Sequence, residues 1–459
     1  MELPLLSGLY KMYFFLVKVF LVLLLYNGHF SVSTSVCHSG SKIVNVSLAT
    51  KTPYRFVANK DDSPFEFEGC KPLKFWSMIR HGTRYPSVKI IKRMNDRLPV
   101  LRDLIVKVHE DGRGNLCEGE IHQLLKWTPQ LKEEDEKKLT HEGEDELLEL
   151  GERFQKRFPE LLPETYSNSS YKFQFTATQR AEQSARSFTI GLFGRKVSRH
   201  VWFPEGIYKD PILRFYKLCE NWRKSVDKNP EASRELERFS EGQEMKNVQG
   251  NVTERLGFAN KISLDDLSLI YVTCSFETAW YPKKQSPWCS LLSDNDFKVL
   301  EYAEDLDYYW IDGYGHAINH QQACPTIKDM FSFFSSSNLE KKAVLYFSHS
   351  GTVLKMLAHL GLYRDPKPLR ASNFPYMLQN RQWRVSQISS FASNIAFVLY
   401  KCGSEANSEE KILTLHQERP VRLAGCPPEE DLCSLETFKK VFSMSIQDCN
   451  FQSMCSLKS

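Results

Sequence analysis

The sequence predicts an α/β protein: a mainly parallel sheet flanked by helices, with a mainly helical domain inserted. Three observations carry this. Short apolar runs at 73–79, 171–176 and 343–347 each end in polar, potentially reactive residues. Helical patterns follow these runs, as parallel strands joined by crossover helices require. Helical, aromatic-rich stretches crowd residues 205–330, between the second and third runs. With 459 residues, 42% of them hydrophobic, the chain suffices for a main domain and an inserted one. The expected division is an α/β domain over 36–204 and 331–459 and a helical cap over 205–330.

At the N-terminus, Lys11 precedes an apolar stretch over 12–26, broken once by Lys18, and small residues follow at Ser31, Ser33 and Ser35. This reads as a signal peptide over residues 1–35, cleaved on export. A membrane span needs about 20 apolar residues, and Lys18 interrupts this run. The twelve cysteines all lie beyond that segment and none forms a CxxC pair, so disulfides are expected rather than a zinc or redox motif. Spacing leaves their connectivity open. Glycosylation acceptors stand at Asn45, Asn168 and Asn251. The tail 454–459 carries neither a retention tetrapeptide nor an apolar anchor, so the expected destination is the extracellular space by way of the endoplasmic reticulum, with no stable membrane span after cleavage. A net charge of +4 is too small to mark a nucleic-acid binder; any anionic ligand must meet a local cation cluster.

The first run leads into Arg80-His81-Gly82, the second into Ala177-Thr178-Gln179-Arg180, the third into Ser348-His349-Ser350-Gly351. Residues 352–360 then read as a helix, apolar at Val353, Leu354, Met356, Leu357 and Leu360, with Gly361 as its stop. Residues 128–158 are charged and read as helical, as do 295–310. Segments 394–401 and 411–416 are expected to add an antiparallel pair to the sheet. Ligands of open α/β sheets sit beyond the carboxyl ends of the strands, so the three polar clusters are expected to meet in one crevice.

The chemistry lies in Arg80-His81-Gly82-Thr83-Arg84-Tyr85-Pro86. A phosphate monoester presents about two charges and several acceptor oxygens, which planar guanidinium groups bind bidentately. Gly82 allows close backbone approach, and a neutral imidazole among cations is able to attack phosphorus while its neighbours neutralise the equatorial oxygens. An exposed basic turn is the plainer reading; the buried strand just ahead of the cluster argues against it.

This string matches the RHGxRxP signature of the histidine acid phosphatase branch of the histidine phosphatase superfamily. Leu139-Thr140-His141-Glu142-Gly143, the run 300–310, Gly313-Tyr314-Gly315 and the tail 426–442 resemble the multiple inositol polyphosphate phosphatases, a phytase-related family. The resemblance spans roughly residues 50–445. It implies a phosphoglycerate-mutase-like sheet, a helical cap, no cofactor and no metal. It also implies a phosphohistidine at His81, with His349 as the second catalytic histidine and Arg80 and Arg84 on the phosphate. The implied ligand is an inositol polyphosphate or another small phosphomonoester.

Two positions depart from the family pattern. Gln174 stands where the resemblance puts a phosphate-binding arginine; a charged hydrogen bond lost there costs about 1.5–3 kcal/mol, though Gln174 retains one neutral donor. The family's distal acid, two residues after the histidine in the inositol phosphatases, falls on Gly351, and no Asp or Glu occurs from 343 to 364. General acid catalysis contributes about 10²–10⁴-fold, so the general acid is unassigned and slow turnover is expected. The alternative is a catalytically weak or inactive relative that binds anionic phosphorylated ligands. Lys89 and Lys92, beyond the signature, are candidates for extra phosphate contacts.

Overall fold

A computed structural model describes residues 37–41, 44, 47–404 and 407–457. The expected signal peptide and the acceptor Asn45 lie outside the described residues. One mixed sheet organises residues 38–459, in the order β2-β3-β1-β4-β5-β6, with β7 paired to β5. The strands are β1 Cys70–Arg80, β2 Tyr171–Phe175, β3 Ala343–Ser348, β4 Asn394–Ser404, β5 Asn407–His416, β6 Arg419–Pro420 and β7 Leu432–Ser434. The three expected runs form the parallel part β2-β3-β1, and the expected antiparallel pair β4-β5 extends it past β1.

Strand burial follows position in the sheet. β3 lies between two partners and is buried throughout, whereas β2, at the edge, alternates buried Tyr171, Phe173 and Phe175 with outward Lys172 and Gln174. The two-residue period of β1 divides the core between the faces. Phe75 and Ile79 pack with Leu147, Phe154 and Phe188, from helices α2 (His141–Arg157) and α3 (Gln179–Ser198). Trp76 and Met78 join Ile105, Leu267, Leu306 and Leu357. These come from α1 (Val88–Glu110), α4 (Leu264–Trp280), α5 (Asp294–Ile311) and α6 (Ser350–His359). Helices therefore cover both faces.

Residues 205–330 contribute helices and turns, with one isolated bridge at Ile207. The helix expected over 128–158 is shorter. It begins at His141, and the stretch before it holds one 3₁₀ turn, Glu133–Asp135. Lys137 has φ 55°, a left-handed conformation that no helix continues through. All twelve cysteines are in disulfides, among them Cys70–Cys402, Cys219–Cys455, Cys274–Cys289, Cys324–Cys449 and Cys426–Cys433. No helix among the described residues is long and apolar enough to cross a membrane.

Candidate active site

The carboxyl ends of β1, β2 and β3 deliver the three polar clusters to one cleft. Arg80 ends β1 with its N–H on the Ser393 carbonyl at 2.8 Å, and His81 N–H donates to Ser348 O at 3.1 Å, so the turn to the signature loop is clamped between neighbouring strands. Buried Glu146 of α2 then fixes the loop, accepting from Thr83 N (2.7 Å), Thr83 Oγ1 (3.0 Å) and Tyr54 N (2.7 Å). Burial pushes the Glu146 carboxyl up to about 7 against the pull of these donors. The N-cap of α2 is Thr140, whose Oγ1 accepts from Gly143 N and donates to Thr83 O, which ties the Leu139–Gly143 segment directly to the signature.

His81 is 3% exposed. Its Nδ1 lies 2.9 Å from Gly82 O, and a carbonyl only accepts, so Nδ1 carries the proton and Nε2 presents a lone pair. Burial, then the charges of Arg180 and Arg80, hold its pKa well below the usual imidazole value, so the ring is neutral. Arg80 donates to Thr50 O at 2.8 Å and Ser389 O at 2.6 Å, and its guanidinium lies 4.6 Å from the Phe391 ring centre. His349, the N-cap of α6, is 5.4 Å from His81 between ring centres. Arg180 donates to its Nδ1 at 3.4 Å, which leaves Nε2–H to donate to Thr176 Oγ1 at 3.0 Å.

Arg180 of the second polar cluster lines the cleft from the first turn of α3, and Arg214, which lies outside the three clusters, lines it too. Among the described residues, Nε of Arg80, Arg180 and Arg214 are buried without a hydrogen-bond partner. Such donors in a cleft suit an oxyanion. Gln174, by contrast, is not among the residues lining the cleft. Its amide reaches sideways from the edge strand to Asp210 Oδ2, while Asp210 Oδ1 accepts from Ile212 N and Leu213 N at 2.7 Å each. That turn carries Arg214, so Gln174 braces an arginine and does not replace one. Arg180 ends the cluster 177–180 that the sequence places after the second strand, and it stands in the first turn of α3. Arg214 is brought in by the Asp210 turn, with no motif to announce it.

The cleft encloses about 310 Å³. Arg80, Arg84, Arg180 and Arg214 share its lining with Lys51, Lys137 and Lys217, seven cations against the two carboxylates of Asp227 and Asp312. Burial lowers Arg80 to about 9 and Arg180 to about 10, so both remain cations at neutral pH. Lys89 and Lys92 lie elsewhere, exposed on α1, with Lys92 paired to Glu133 at 3.2 Å. Among the described residues no cluster of His, Cys, Asp or Glu has an arrangement able to hold a metal.

The model of the histidine phosphatase superfamily (branch 2) matches residues 75–423, from the first core strand past the last cleft residue. The chain belongs to this superfamily. It is 31% identical over 419 residues to multiple inositol polyphosphate phosphatase 1 of Drosophila melanogaster, covering 89% of this chain and 87% of the relative. It is 29% identical over 413 residues to the Homo sapiens protein of the same name, covering 84% and 82%. Among solved structures, the phytase from D. castellii superposes with a TM-score of 0.72 at 16% identity, covering 90% of this chain and 87% of that one. The multiple inositol polyphosphate phosphatase of Bifidobacterium longum, in complex with inositol hexasulfate, gives 0.65 at 16% identity, covering 88% and 98%. Both share the fold of this superfamily member.

Proposed function

We propose that the chain is a secreted phosphomonoesterase that hydrolyses inositol polyphosphates through a phosphohistidine at His81. The observation that carries this is His81 itself: a buried neutral imidazole, its Nε2 lone pair free, set among arginines whose Nε donors have no protein partner. Nε2 attacks phosphorus while Arg80, Arg84 and Arg180 hold the equatorial oxygens, His349 positions Arg180 through its Nδ1, and water then hydrolyses the phosphohistidine. Seven cations are more than one phosphate needs, which supports a substrate with several phosphates. Residues 205–330 act as the helical cap of this cleft. Exposed acceptors Asn168 and Asn251 and the disulfides support export.

The absence of Asp and Glu from 343 to 364 favours a second reading, a phosphate-binding relative with weak turnover. Phosphate release from inositol hexakisphosphate and from 4-nitrophenyl phosphate, by wild type and His81→Ala, decides between them. His81-dependent release supports the enzyme. Binding of inositol hexakisphosphate without His81-dependent release from either substrate supports the binder.

A further inference from the structure

An inositol alkoxide is a poor leaving group, and its departure calls for a proton donor within the cleft. The carboxyl groups lining the cleft belong to Asp227 and Asp312. Asp227 is exposed at the end of a turn, whereas Asp312 is 9% exposed at the C-cap of α5. That helix is anchored from behind: Arg381 donates to Asp305 at 2.8 Å and to Glu301 at 2.9 Å, both buried on α5. Lys355 of α6, also buried, donates to Asp312 Oδ1 at 2.7 Å and to Ile311 O at 2.9 Å, fixing the carboxyl in one orientation. A Cβ on Gly351 would stand 3.3 Å from Oδ1 and 3.6 Å from Oδ2. Position 351, two residues past His349, therefore has no side chain between Asp312 and the cleft.

Resting on the phosphomonoesterase reading above, we infer that Asp312 is the general acid, a carboxyl supplied by the end of α5 rather than by the segment after His349. In the first step the bond from His81 Nε2 to phosphorus forms as the bond from phosphorus to the inositol oxygen breaks, and the Asp312 carboxyl proton passes to that oxygen. In the second, the Asp312 carboxylate takes a proton from the water whose oxygen attacks phosphorus, and the bond to His81 breaks. The groups facing Asp312 are Lys355 from α6, Asp307 from its own helix and Tyr216 from the turn after Arg214.

The test compares kcat/KM of the full chain on inositol hexakisphosphate and on 4-nitrophenyl phosphate, whose phenolate leaves with little help. Asp312→Asn should lower the first by about 10²–10⁴-fold and the second by less than about tenfold. Asp312→Ala/Gly351→Glu, which returns a carboxyl from the other side, should recover at least about tenfold on inositol hexakisphosphate relative to Asp312→Ala. In the wild type itself, kcat/KM across aryl phosphates of rising leaving-group pKa should vary little; a steep fall overturns the assignment without any variant. Equal losses on both substrates in Asp312→Asn, no loss, or the selective loss appearing in Asp227→Asn instead also overturn it. Wild type with no His81-dependent release from either substrate removes the phosphatase reading and the assignment together. An active wild type with an unimpaired Asp312→Asn removes the assignment alone.

Discussion

Gly82 and Gly143 meet backbone to backbone: a Cβ on Gly82 would stand 2.3 Å from Gly143 O, and a Cβ on Gly143 would stand 2.2 Å from Thr83 O. Neither has a positive φ, so the requirement is space rather than conformation. This contact seats α2 against the signature loop and brings Glu146 onto the amide of Thr83. Gly143→Ala should therefore push α2 off the loop. We expect a loss of about 1–3 kcal/mol in urea unfolding and a fall in kcat larger than any change in KM. Wild-type stability and kcat in this variant would contradict the packing described.

The four guanidinium groups of the cleft differ in what they touch, and Gln174 belongs with none of them. Arg180 contacts His349 directly and has a buried Nε without a partner; Gln174 reaches only Asp210. Arg180→Ala should lower kcat/KM by about 10–150-fold, the equivalent of about 1.5–3 kcal/mol for one charged hydrogen bond. Gln174→Ala acts through the Asp210 turn and should cost no more than about tenfold, mostly as KM for the substrate. Steady-state kinetics on one aryl phosphate separates the two.

The contrast between these residues shows what the sequence makes legible. Strands β1 and β3 are readable because a buried strand must be apolar on both faces, and the polar residue that ends it stands out. That places the clusters holding His81 and His349 at one crevice, and the resemblance supplies their roles. The bond of Gln174 to Asp210 is not legible, because a linear pattern does not tell an edge-strand side chain pointing sideways from one pointing into the cleft. Lys89 and Lys92 fail for the same reason, since the face a helix presents depends on its packing. Arg214 and Asp312 enter from the helical segment between the second and third strands, where nothing local distinguishes a cleft residue from a surface one. The run over 128–140 has the charge content of a helix, but its left-handed Lys137 is set by the fold around Tyr85 and Pro86, whose backbone it meets.

Neutral His81 has a direct pH consequence. An imidazole is a nucleophile only when unprotonated, and burial with Arg180 and Arg80 lowers the pKa of His81 in the folded protein. Protonation thus begins only well below the usual imidazole range. The acid limb of kcat/KM set by this group should therefore lie well to the acid side of the unperturbed imidazole value near 6.5. Arg180→Ala removes the largest of the charge contributions and should move that limb upward. A limb centred at pH 6.5 in wild type would contradict the buried, cation-flanked site.

The Cys70–Cys402 disulfide joins register partners of β1 and β4 at the end of the sheet opposite Arg80. It closes a sequence separation of 332 residues, and so constrains the unfolded chain heavily. Chain entropy alone would give about 5–6 kcal/mol, but the other disulfides already shorten the unfolded loops, so about 2–4 kcal/mol is expected. In the folded state the same strands are held by their ladder, with Phe75 against Val398 and Ile79 against Asn394. Cys70→Ala/Cys402→Ala should therefore lower the urea midpoint while leaving kcat/KM within about twofold of wild type. A large loss of activity at unchanged stability would mean that the far end of the sheet is coupled to the signature loop. The β1-β4 register shifts between Pro72 and Lys74 and runs unbroken from Lys74 to Ile79, which argues against that, because this part of the ladder leads into Arg80 and His81 whether or not the bridge is present.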